Sequence, residues 1–118
     1  MTTLLVAIGG LIGVMGRYGL TRLTMHGESL IWMTAAINIA GSFVLGLLTA
    51  TSWFSLDMRE GIGVGLLGGF TTFSTFSVQI VTEADGGRTG TAAAYLLVSV
   101  VGGIVAATGG YALGRAIT

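Results

Sequence analysis

The chain has 118 residues, 53% hydrophobic and 8% charged, with no formal net charge and a mean hydropathy of +0.90. Soluble domains carry roughly 25% charged residues, so the composition reads as an integral membrane protein and offers no basic cluster to a nucleic acid. Without cysteine, disulfides and thiolate metal sites are excluded; with 21 glycines and no proline, helices are expected to pack closely and to kink at glycine or at inserted polar groups.

A hydrophobic span needs about 20 residues, and four such stretches follow one another, at 3–23, 30–51, 61–82 and 91–113. The first lacks the positive flank of a secretory signal and is expected to be retained. It carries Gly9, Gly10, Gly13, Gly16 and Gly19 as a small-residue seam, with Arg17 and Arg22 near its end. In the turn that follows, His26 is expected to be solvated, with no partner spacing for a metal. The second span sets Asn38, Ser42, Gly46 and Thr49 on one helical face. Residues 52–60 read as a loop, and Trp32 and Trp53 as interface anchors. After the third span, Glu83 and Asp85 are boundary charges with Arg88 near enough to compensate. The fourth span stacks Tyr95, Ser99, Gly102 or Gly103, and Ala106 along one side.

The third span carries a polar load that lipid would not welcome. From Phe70 to Gln79 every side chain except Val78 is Thr, Ser, Phe or Gln. Gly68-Gly69 is expected to break the helix, since each glycine costs about 1 kcal/mol of helix preference relative to alanine. Such a break survives in a bilayer only where protein or a wet cavity serves the freed carbonyls. At about 100° per residue, Phe73, Phe76 and Ile80 share one face and Thr72, Thr75 and Gln79 another. Ring edges are electropositive, so an aromatic stripe beside hydroxyl donors suits a small anion. The plainer alternative is core packing for the rings and hydroxyls bonded back to their own helix.

The segment Gly68-Gly69-Phe70-Thr71-Thr72-Phe73-Ser74-Thr75-Phe76-Ser77 closely resembles the third-helix signature of the Fluc fluoride channels, also called CrcB. Gly16-Arg17-Tyr18 and Asn38-Ile39-Ala40-Gly41-Ser42 match further family motifs in order and spacing, so the resemblance covers all four spans. It implies an all-α membrane fold: four transmembrane helices, the third broken mid-membrane, in an antiparallel, dual-topology homodimer with two fluoride pathways. It implies that Phe73, Phe76, Asn38, Ser74, Thr75, Tyr95 and Ser99 line the pore. It also implies that the backbone carbonyls of Gly68 and Thr71 hold a central structural sodium ion. The family's role, relief of fluoride entering as hydrofluoric acid, places such a protein in the cytoplasmic membrane.

The residues themselves leave three roles open. Gly68 is either a sodium site or a packing glycine. Asn38, the only asparagine in the chain, is either a pore donor or a hydrogen bond across helices. Arg17 either draws anions into a vestibule or fixes a helix end.

With four spans, Arg59 and Arg115 fall on one side of the membrane, and Arg22 and Arg88, with Arg17 if it reaches the boundary, on the other. Lys and Arg set orientation, so this near balance predicts insertion both ways and permits an antiparallel dimer. A small dual-topology drug exporter shares that balance, but proton-coupled export needs a carboxylate inside the membrane. Glu28, Asp57, Glu60, Glu83 and Asp85 all fall in loops or at span ends. A non-transporting assembly subunit would explain the glycine seams but not the third span. An enzyme lacks a base beside Ser74 or Ser77. The reading is a passive fluoride channel in contact with lipid and with a second copy of itself.

Overall fold

A computed structural model describes residues 1–24 and 27–118, so the expectation for His26 lies outside the described residues. The fold is helical: α1 (Thr2–Arg22), α2 (Glu28–Ala50), α3 (Leu56–Glu60), a π-helical segment (Gly61–Leu67), α4 (Gly68–Phe70), α5 (Phe73–Asp85) and α6 (Thr89–Ile117). Elements α3 to α5 form one interrupted span, so four spans of 21, 23, 30 and 29 residues are long and apolar enough to cross a membrane. The protein is a multi-pass membrane protein whose third helix is broken.

The third span begins at Leu56, inside the stretch expected to be a loop. Local chemistry explains this. Ser55 caps α3 by accepting a hydrogen bond from the Met58 amide at 3.3 Å, and Asp57 stands in the first turn, where the helix dipole favours an acid. The α3 end is tied down as well: the Thr2 hydroxyl donates to Asp57 Oδ1, and Arg59 donates to the carbonyls of Thr51 and Thr49 at the end of α2. At the opposite end, Arg88 forms a two-pronged ion pair with Glu83, at 2.6 and 3.3 Å. That hydrogen bond and charge hold the Arg88 guanidinium above its ordinary value.

Two tightly packed helix pairs make the body, α1 against the third span and α2 against α6. Glycine allows the first approach: a Cβ on Gly65 would lie 2.5 Å from the Val6 carbonyl oxygen, and one on Gly69 would lie 2.7 Å from that of Gly10. The second pair uses Gly110 against the Phe43 carbonyl and Gly114 against that of Leu47. Without a hydrophobic force between helices in lipid, this backbone contact is the packing that holds them. The buried core is small and lies between α2, α5 and α6, formed by Ile31, Ala35, Phe76 and Tyr95, with Trp32 and Ile80 packed on it. Trp32 is a core neighbour, edge-on to Tyr95 at 5.9 Å between centroids, near the start of α2. Trp53 is exposed.

Candidate functional site

The third span breaks at Thr71 and Thr72, which are extended (φ −88°, ψ 158° and φ −152°, ψ 117°). This is three residues later than the glycine pair suggested. Gly68 and Gly69 remain helical, and Gly69 is committed to the close contact with α1. The break is held open by other residues. Asn38 of α2 clamps it with both ends of its amide: Nδ2 donates to the Thr72 carbonyl at 3.0 Å, and Oδ1 accepts from the Thr72 amide at 2.8 Å. Thr72 then caps α5, its hydroxyl oxygen accepting from the Thr75 amide at 3.3 Å and its hydroxyl donating to Thr75 Oγ1 at 3.0 Å.

These bonds decide which carbonyls are released. In an unbroken helix the Thr72 amide would serve Gly68 and the Thr75 amide would serve Thr71. Here the first goes to Asn38 and the second to the Thr72 hydroxyl, so the carbonyls of Gly68 and Thr71 lose their helical donors. The Gly69 carbonyl between them is answered from α1, where Arg17 Nε donates to it at 3.2 Å. Among the described residues, no cluster of three or more His, Cys, Asp or Glu side chains could hold a metal. A cation at the break would therefore meet backbone oxygen, a hard ligand.

Beside the break runs a groove of about 470 Å³ between α2, the third span and α6. Of the residues singled out from sequence, Asn38, Gly68, Thr71, Phe73, Phe76 and Ser99 line it together. The two phenylalanines differ. Phe76 is 6% exposed and packs edge-on to Tyr95 at 5.1 Å, whereas Phe73 is 77% exposed, its ring centroid 5.9 Å from that of Phe76. Ser99 is 8% exposed, and its hydroxyl has no hydrogen-bond partner among the described residues.

The other candidates stand apart from the groove wall. Tyr95 is fully buried behind Phe76 and donates to Gln79 Oε1 at 2.7 Å. Thr75 supports the cap of α5, Ser74 is exposed, and Arg17 reaches the break from the α1 side. Two polar partners escape the sequence reading. Gln79 shares the hydroxyl face without a task of its own there, though its spacing from Thr72 and Thr75 is the signal. Thr34, 1% exposed and bonded to the Leu30 carbonyl at 3.1 Å, carries no signal beyond being polar in an apolar span. The groove has no acidic lining. It offers one free hydroxyl donor, one remaining Asn38 N–H and aromatic rings, with released carbonyls at its edge.

Comparison with known proteins agrees in extent as well as kind. The family described as CrcB-like protein, Camphor Resistance (CrcB), matches residues 4–111. A protein of Agrobacterium fabrum named fluoride-specific ion channel FluC is 44% identical, with 94% of each chain covered. Proteins of the same name from Thermus thermophilus and Mesorhizobium japonicum are each 40% identical, covering 97% of this chain and 95% and 96% of their own. These are names of ion channels, not of enzymes. This chain belongs to the CrcB family.

Proposed function

We propose that the chain is a passive, fluoride-selective channel of the cytoplasmic membrane, acting as an antiparallel homodimer with two pores and a central structural sodium ion. The observation that carries this reading is the break itself. Carbonyls released in mid-span cannot face lipid, because each unsatisfied group there costs several kcal/mol. Phe73, exposed beside them on a single protomer, would equally be covered by a second copy. Closing the groove between two copies answers both needs and yields a narrow polar passage. The similarly named relatives support fluoride as the ion that uses it.

In that passage fluoride exchanges hydration water for the free N–H of Asn38, the Ser99 hydroxyl, and the positive edges of Phe73 and Phe76. Ser74 and Thr75, off the groove wall of a single protomer, are assigned to the passage by the family resemblance, and Tyr95 fixes the ring of Phe76 from behind. Arg17, whose Nε donates to the Gly69 carbonyl, keeps a positive charge at the approach that draws anions in. Narrow, rigid walls fit larger halides poorly. Sodium suits the carbonyls of Gly68 and Thr71, and two copies would supply four such oxygens; bound there, it offsets the negative end of α4 and joins the protomers. A negative-inside potential drives the anion out at about 2.3 kcal/mol per charge per 100 mV. With no carboxylate in the groove, nothing couples that flow to protons.

The test is halide efflux from liposomes holding the purified protein, fluoride against chloride, with and without a pH gradient. Fluoride efflux that ignores the gradient, with chloride retained, supports the channel. A proton-coupled exporter of other cargo would release neither halide, and gradient-dependent fluoride efflux would indicate an antiporter.

A further inference from the structure

The groove continues past Ser99 into a stretch that none of the pore residues named so far covers. One turn further along α6 stands Gly103, and across from it stands Ser42 of α2; both line the groove with Asn38 and Ser99. A Cβ built on Gly103 would meet Ser42 Oγ at 3.7 Å and no other atom within 4 Å. A methyl group at 103 would thus come into ordinary van der Waals contact with Ser42 Oγ, and it is the missing side chain that leaves that volume to the groove. Ser99, on the same face of α6, adds a buried hydroxyl without a partner. A buried donor left without an acceptor is costly, and an anion in the groove is an acceptor.

The Ser42 hydroxyl at present donates to the Asn38 carbonyl at 2.7 Å. In an α-helix that carbonyl already receives the Ser42 amide, so the hydroxyl hydrogen can turn to the groove without leaving it bare. Its bond back to the helix is a resting position. Leu45, Ile104 and Ala107 complete an otherwise apolar wall, so an ion at this level has these hydroxyls as its donors.

We propose that Ser42 and Ser99, from two different helices, form a hydroxyl-lined station for a small hard anion over Gly103, whose lack of a side chain keeps the room. The inference rests on the fluoride-channel reading and adds to it a donor from α2 and a space-keeping glycine on α6.

Fluoride efflux from liposomes is compared for the parent, Ser42→Ala, Gly103→Val and the double variant Ser42→Ala with Gly103→Ser, each matched to the parent by gel filtration. Ser42→Ala is expected to slow fluoride about fivefold, the weight of one hydrogen bond on a barrier. The double variant is expected to recover to within about twofold of the parent, because a hydroxyl returns from the opposite wall at that same weight. Gly103→Val leaves Ser42 in place and fills the space, and is expected to slow fluoride about tenfold or more by narrowing the route. If Ser42 served only its own helix, the double variant would stay as slow as Ser42→Ala, and that result overturns the station. Parent-like flux in Ser42→Ala or in Gly103→Val overturns it too. A parent that passes no fluoride overturns the channel reading instead.

Discussion

Asn38 and the two phenylalanines show how far single residues carry the account. Replacing Asn38 with alanine removes both bonds to Thr72 and strands a backbone amide and carbonyl at the break. At about 1–3 kcal/mol for each buried group left unsatisfied, Asn38→Ala should destabilise the protein by several kcal/mol, read as a lower melting temperature in detergent. An unchanged melting point would mean the clamp contributes nothing. Phe76→Ala removes a core ring packed on Tyr95 and should cost about 3–5 kcal/mol, whereas Phe73→Ala, at an exposed ring, should leave the protomer's own packing intact. Comparing the two melts separates core from lining. Sequence placed these rings on one face, but 3.6-residue periodicity cannot say which end of a face meets a neighbouring helix. Likewise, a lone mid-span asparagine was legible as important, while its use of both amide ends was not, because the backbone it clamps lies 34 residues away.

Among elements, the glycine seams were legible and their partners were not. The seam of α1 could have faced another protomer; it instead receives the π-helical segment and α4, so that Gly65 and Gly69 touch backbone. Gly65→Ala should therefore overpack the α1 contact and destabilise by about 1–3 kcal/mol, whereas Gly19→Ala, with nothing within 4 Å of its added methyl, should be neutral or slightly stabilising through helix preference. Thermal unfolding of the two variants checks the contrast, and equal shifts would deny the α1 contact its role. The π-helical segment was invisible in a run of Gly, Ile, Val and Leu, whose composition fits an α-helix as well. The break itself was expected at the glycine pair because glycine is the weakest helix former. It lies at Thr71–Thr72 because Asn38 supplies a better reason than propensity: replacement partners for the backbone.

At the scale of the whole molecule, the four spans and their short connections followed from composition and hydropathy. The arginines carry the topology argument. Arg59 and Arg115 fall on one side, and Arg22 and Arg88, with Arg17 if it reaches the boundary, on the other, a near balance that gives little bias to choose an orientation. A reporter fused to the C-terminus should accordingly be found on both sides of the membrane, and a single location would remove the basis for an antiparallel pair. The proposed pore needs that pair, because Phe73, which lines the groove, is left 77% exposed on one protomer. Fluoride efflux from liposomes carrying Phe73→Ile tests this most directly, with dimer content measured on the same sample. Flux at least about tenfold below the parent, the scale of losing a favourable contact of about 1.4 kcal/mol at the narrowest point, with the dimer intact, is the predicted result. Parent-like efflux would contradict the claim that the groove beside the broken third span is the route fluoride takes.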